Sequence, residues 1–142
     1  MLLPTCVIKF LELMLTIACL ALHHYSYDLT DVPTLMLCSG TYVGYVVVLS
    51  GEIIGETISA PADPYIDAWW SSSAGVMFGA CGALTLRAWR DVPDCLRNYH
   101  ANAAAVCALA AAALFTIDAL LAYCSANKDD NNSQKFGCQA AK

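Results

Sequence analysis

Six ionisable side chains lie inside or at the edges of long apolar segments, and they are the residues of this sequence best placed to do chemistry. Charged groups within a bilayer are costly, so they normally face the interior of a helix bundle and pair with one another. Lys9 is the only cation of the set, and we expect it to pair with Asp118 or Glu52. The six residues, which we name the charge cluster, are Lys9, Glu12, Glu52, Glu56, Asp67 and Asp118.

Two functions compete for this charge cluster. A structural latch of ion pairs would hold the helices together, with Glu12 competing for Lys9 from one helical turn away. A proton or cation relay would instead run through Glu12, Glu52 and Asp118. We favour the latch, because pairing is what buried membrane charges usually do. Tracing each segment up or down the membrane places all six residues in the half that holds the two termini.

Glycines spaced four residues apart form a second pattern. Such GxxxG pairs let two helix backbones approach closely in lipid and gain van der Waals contact. We expect these glycines to pack against helices of the same chain, and the alternative is that a glycine face binds a neighbouring membrane protein. The glycines concerned are Gly40, Gly44, Gly51 and Gly55 in one apolar segment and Gly75 and Gly79 in the next.

Four apolar stretches are long enough to position these residues, since a helix needs about 20 apolar residues to cross a bilayer. They run over residues 3–22, 35–54, 66–86 and 101–123, with prolines such as Pro61 in the short connections. The sequence therefore predicts an all-α, integral membrane four-helix bundle over residues 1–124. Residues 125–142 are polar and predict a disordered C-terminal tail. The alanine-rich fourth stretch is the weakest span, because it also carries Asp118.

The composition supports a membrane protein. Hydrophobic residues make up 58% of the chain and charged residues 13%, against about 25% charged in a typical soluble domain. A soluble four-helix bundle would show a polar stripe on each helix, and none is visible. A cleaved signal peptide fits poorly, because Lys9 and Glu12 interrupt the first apolar segment. The net charge of −5 and the scattered basic residues argue against binding nucleic acid.

The sequence predicts no cofactor, no metal site and no catalytic constellation. The eight cysteines include no CxxC pair, which argues against zinc ribbons and thiol redox enzymes. His23 and His24, like the tryptophans of the third stretch, are expected to form belts at the membrane interface. Cysteines near the predicted membrane boundaries, which are possible palmitoylation sites, are Cys6, Cys124 and Cys138.

The chain resembles the Snakeskin-like four-span proteins of insect smooth septate junctions, which have a MARVEL-like tetraspan architecture. The residues that carry the resemblance lie mainly in the third and fourth stretches. They are Gly75-Val76-Met77, Gly82-Ala83-Leu84, Ala88-Trp89, Ala113-Leu114-Phe115, Asp118 and Leu121-Ala122, with Ile8-Lys9, Ser39-Gly40 and Val43-Gly44 in the first two. The resemblance implies a plasma-membrane scaffold at cell junctions with both termini in the cytoplasm.

We therefore predict a non-enzymatic membrane scaffold or organising protein, surrounded by membrane lipids and assembled laterally with other integral membrane proteins. Two alternatives remain open. One is a small ion or proton transport protein that uses the acidic members of the charge cluster. The other is an accessory subunit of a larger membrane complex.

Overall fold

The computed structural model describes residues 2–26, 31–60 and 62–140, and all of its regular structure is helical. The four helices are α1 (Leu2–Ser26), α2 (Val32–Thr57), α3 (Pro64–Trp89) and α4 (Leu96–Ala140). The predicted all-α class is confirmed. Pro61, expected in the second connection, and the last two residues of the predicted tail lie outside the described residues.

The helix ends follow ordinary capping chemistry. The Asp63 carboxylate accepts a hydrogen bond of 3.0 Å from the backbone N–H of Tyr65, and Pro64 is the first residue of α3. Both features favour a helix start. The chain leaves α2 through Ser59, which has a φ of 59°, while the N–H of Ala60 donates to the Gly55 carbonyl at 2.8 Å. These polar turns lie at the end of α2 and the start of α3, where both helices extend beyond their apolar stretches.

The helices form a ring in chain order. α1 packs on both α2 and α4, and the most extensive helix pair is α3 with α4. The contact between α2 and α3 is the sparsest of these neighbouring pairs. Because the connections are short, successive helices run in opposite directions, and the weak seam leaves a cleft between α2 and α3.

An aromatic layer fills the centre of the bundle. Phe78 packs against Tyr42, Tyr45 and Phe115 with ring centroids 5.5, 5.6 and 5.2 Å apart. Aromatic pairs at these separations add to the energy of area burial. This layer separates the charge cluster, near the termini, from a layer around His23 and Cys38 in the other half.

The outer surface is rich in large apolar side chains. Five examples, all of them more than half exposed, are Val7, Met14, Val47, Val76 and Leu120. A monomer in water rarely exposes apolar patches of such extent. The surface is therefore compatible with a lipid environment.

Three of the described helices contain segments long and apolar enough to cross a membrane. They are Thr5–Ser26, Val32–Thr57 and Leu96–Gln139. The expectation that the fourth helix is the weakest span is therefore wrong, because α4 qualifies and α3 does not. Tryptophans, glycines and the run 71–73 of serines lower the hydropathy of α3, whereas alanine and leucine keep that of α4 high.

The predicted disordered tail is also wrong for the residues that the structure describes. α4 continues without a break to Ala140. Ala126 is buried, and the Tyr65 hydroxyl of α3 donates a hydrogen bond to the Asp130 carboxylate. We name residues 125–140 the α4 extension, and these two contacts tie its first turns to the bundle.

Candidate functional site: the charge cluster and the α2–α3 groove

The Lys9 ammonium lies at the centre of the charge cluster. Its Nζ atom is 2.7 Å from Asp118 Oδ2 and 2.7 Å from Asp67 Oδ1. It is 3.2 Å from Glu52 Oε2 and 3.9 Å from Glu12 Oε2. All four helices contribute to this constellation, so the ion pairs connect every element of the bundle. Both of the expected partners, Asp118 and Glu52, are within ion-pair distance.

Ser71 completes the constellation, although it was not among the residues predicted for the charge cluster. Its hydroxyl donates to Asp118 Oδ2 at 2.7 Å and accepts from Lys9 Nζ at 3.2 Å. The available signal was its position one helical turn after Asp67, on the same face of α3. Glu56 is the remaining predicted member, and it is half-buried and makes none of the four ion pairs to Lys9.

This constellation has one positively charged group for four carboxylates. A lysine ammonium has three protons to donate, and it is surrounded by four carboxylates and one hydroxyl. The Glu12 side chain is fully buried. Both of its carboxylate oxygens lack a hydrogen-bond partner within the described part of the chain. The cluster can therefore act as a latch, but it leaves one buried carboxylate without a donor.

A relay or a metal site has less geometric support. The three carboxylates proposed for a relay, Glu12, Glu52 and Asp118, all surround the Lys9 ammonium, which occupies the space between them. Across residues 2–26, 31–60 and 62–140, no group of three His, Cys, Asp or Glu side chains is arranged to hold a metal ion. The geometry favours ion pairing over passage of a cation.

The glycines of α3 pack within the chain. A Cβ atom on Gly75 would lie 3.1 Å from Thr116 Oγ1, and one on Gly79 would lie 3.9 Å from the Ala112 Cβ. Gly82 is tighter still, because its Cβ would lie 2.9 Å from Leu109 Cγ. These glycines allow α3 to approach α4 closely, as the spacing predicted.

The glycines of α2 have a different environment. A Cβ atom on Gly40, Gly44 or Gly51 would meet nothing within 4 Å, and all three are exposed. Gly55 packs against the turn that follows α2, since a Cβ atom added there would lie 3.1 Å from the Ala60 carbonyl oxygen. The expectation of packing within the chain is therefore wrong for the first three glycines of α2.

These glycines line a groove between α2 and α3, which we name the α2–α3 groove. Its apolar half has a volume of about 320 Å³ and includes Gly40 and Gly44. Its acidic half has a volume of about 340 Å³ and includes Gly51. Val48 and Trp70 line both halves, so the two adjoin along the helices. Lys9, Glu52, Glu56 and Asp67 of the charge cluster also line the acidic half.

Two other sets of predicted residues have mixed outcomes. His23 is buried, and its Nε2 atom lies 3.1 Å from Ser39 Oγ, so its assignment to an interfacial belt is wrong. Its ring also packs on Tyr42 at 5.6 Å. All cysteines are free, with Cys124 and Cys138 exposed and Cys6 half-buried. Palmitoylation of these three cysteines stays a prediction.

Comparison with known protein families places this chain in one of them. No curated protein and no solved structure matches the chain. Residues 5–124 match a family model, and this range contains the whole charge cluster and both walls of the α2–α3 groove. The match ends before the α4 extension. The chain belongs to the family described as "Domain of unknown function (DUF7775)".

Proposed function

We propose that this protein crosses a membrane four times and assembles laterally with other integral membrane proteins through the exposed glycines of α2. One observation carries the proposal. Gly40, Gly44 and Gly51 have open space where a Cβ atom would be, whereas Gly75, Gly79 and Gly82 of α3 pack on α4. The same type of residue thus has a partner on one helix and none on the other.

Glycine in a membrane helix is favourable only where another helix packs against it. Glycine weakens a helix by about 1 kcal/mol relative to alanine, and against lipid tails it offers less surface for packing than leucine. Its advantage appears only where another backbone approaches. Three glycines facing outward along one helix are therefore best explained by a partner helix.

The packing of α3 supports a fourth span, although α3 is not among the three helices that are apolar enough to cross a membrane by themselves. Its 26 residues exceed the roughly 20 needed to cross a bilayer. α3 packs along α4 and supplies Asp67 and Ser71 to Lys9. A bundle that inserts as a unit would carry α3 with it, with both termini on one side of the membrane.

The setting that we propose is a junction between cells, in the plasma membrane, with the termini in the cytoplasm. The resemblance to Snakeskin-like proteins supports this setting. In this proposal the charge cluster is a latch that fixes the helices, and the protein organises its neighbours without catalysing a reaction. Its binding partners should then be junction proteins and membrane lipids.

Purification in mild detergent with mass spectrometry of the bound proteins tests this proposal. We expect the double variant Gly40→Leu/Gly44→Leu to lose at least about tenfold of its co-purifying membrane proteins, because losing about 1.4 kcal/mol of contact costs a factor of ten. The fold should be kept, since a Cβ atom added at either glycine would meet nothing within 4 Å.

Val76→Leu is the matched control, because Val76 is an exposed apolar residue on another surface of the bundle. This variant should keep the full set of bound proteins. Lateral assembly through α2 would be contradicted if the wild-type chain purified alone. It would also be contradicted if the double variant kept the same co-purifying membrane proteins.

A further inference from the structure

We infer that the α2–α3 groove receives one transmembrane helix of another protein, and that this helix carries a lysine or arginine that pairs with Glu52 and Asp67. The inference rests on the proposed function and adds the chemical nature of the partner. Three observations carry it: the shape of the groove, the charge of one half, and the buried Glu12 carboxylate, whose oxygens accept no hydrogen bond from the described residues.

The shape of the groove fits a helix. Its lining runs along α2 from Met36 to Glu56, which at 1.5 Å per residue is about 30 Å. This length equals the hydrocarbon thickness of a typical bilayer. Gly40, Gly44 and Gly51 leave the α2 backbone accessible along it. A small ligand would cover only part of this length.

The acidic half of the groove presents two carboxylates to an incoming helix. The side chains of Glu52 and Asp67 are 15% and 19% exposed, whereas those of Lys9, Glu12 and Asp118 are between 0 and 4% exposed. Only the first two of these carboxylates are therefore within reach of a group entering from the groove. Glu56 lines the same half and adds a third negative charge.

The Glu12 carboxylate accepts no hydrogen bond from the described residues and lies 3.9 Å from the Lys9 ammonium, which points to a shortage of positive charge at this site. Lys9 is 3.9 Å from Glu12 Oε2 because closer carboxylates surround it. A basic group in the groove would take over part of the interaction with Glu52 and Asp67. The Lys9 ammonium could then form its ion pairs mainly with Asp118 and Glu12, so that every buried carboxylate would have a nearby cation.

Charge complementarity also argues against a second copy as the occupant. In a parallel copy the cation at this depth is Lys9, which is buried in its own charge cluster. Arg87 and Arg90 lie at the other end of the bundle, and Lys128 and Lys135 lie on the α4 extension. We therefore expect a partner helix from a different protein. Its basic residue should lie in the half of the membrane that holds the termini of this chain.

Photo-cross-linking of the full-length chain in its native membrane tests this inference. A photoreactive amino acid replaces Val47, which is 68% exposed and lies within one helical turn of both Gly44 and Gly51. The control carries the same amino acid at Val76, which is 73% exposed. We expect Val47 alone to capture one transmembrane helix, with a lysine or arginine in the predicted half.

Charge variants then test the ion pair. Glu52→Gln should lower the yield of the Val47 cross-link at least about tenfold, because it removes a negative charge that pairs with the basic group of the incoming helix. Exchange of the partner's basic residue for glutamate, combined with Glu52→Lys, should restore it. The matched control is Asp63→Asn, which removes a nearby carboxylate outside the groove lining and keeps a good helix cap.

Each remaining outcome overturns a defined claim. A captured helix without a basic residue in that half, a captured second copy of this chain, or an unchanged yield in Glu52→Gln would overturn the inference while leaving lateral assembly through α2 intact. Equal capture at Val47 and Val76 would overturn the proposed function as well.

Discussion

At the scale of the residue, Lys9 should be the least replaceable side chain of the bundle. Lys9→Met keeps most of the side-chain volume but leaves four carboxylates around an apolar group. Removing one partner of a buried ion pair typically costs about 3–5 kcal/mol. We expect a loss of this size in the free energy of unfolding, measured by circular dichroism during titration of mixed micelles with a denaturing detergent.

Glu56→Gln is the control for this prediction, because Glu56 is half-buried and forms none of the ion pairs to Lys9. Its free energy of unfolding should stay within about 0.5 kcal/mol of the wild type. If Lys9→Met proved as stable as the wild type, the cluster would not be a latch.

Much of the charge cluster could be predicted from residue types alone. A lysine in an apolar segment must find a carboxylate, and the helix order brings Asp118 and Glu52 to the same depth as Lys9. The position of Ser71 one helical turn after Asp67 was too weak a signal to predict its role, because serines are common in helices and usually bond to their own backbone. The Glu12 carboxylate accepts no hydrogen bond from the described residues. This depends on which carboxylates receive the three protons of the Lys9 ammonium, and residue spacing does not determine that.

At the scale of the element, the two sets of glycines should respond oppositely to a single methyl group. Gly82→Ala places a Cβ atom 2.9 Å from Leu109 Cγ and 3.2 Å from the Ala105 carbonyl oxygen. Overpacking of this kind costs about 1–3 kcal/mol, and α3 must shift away from α4. The expected loss is measurable in the same detergent titration.

Gly40→Ala is the matched substitution on α2, where a Cβ atom meets nothing within 4 Å. It should leave the free energy of unfolding unchanged or raise it by up to about 1 kcal/mol, because alanine favours helix more than glycine does. A loss at Gly40 equal to that at Gly82 would show that α2 packs within the chain.

Sequence spacing could not separate these two cases. The GxxxG pattern indicates that a backbone can be approached, but it is the same on α2 and α3 and does not specify the approaching helix. The α4 extension was missed for a related reason. Asp129, Asp130, Asn131 and Asn132 are poor helix formers and suggested disorder. However, extending an existing helix requires no new nucleation, and no proline interrupts α4.

At the scale of the whole molecule, the number of spans determines where the chain ends lie. Four spans place both termini on one side of the membrane, whereas a chain in which α3 fails to cross would have them on opposite sides. We expect tags on the two termini to become accessible to an impermeable protease together. Accessibility of one tag only, in sealed vesicles, would contradict the four-span proposal. Detergent-opened vesicles, in which both tags must be cleaved, are the control.

The length of α4 has a consequence outside the bundle. Its 45 residues measure about 68 Å at 1.5 Å per residue, more than twice the hydrocarbon thickness of a bilayer. Lys135 lies about 15 Å beyond the start of the α4 extension, which is farther than the screening length of about 8 Å in physiological salt. In the proposed four-span arrangement, the tip of α4 would therefore project past the lipid headgroups, where salt screens much of their charge. A partner bound near Phe136 would then contact the chain above the membrane surface and not within it.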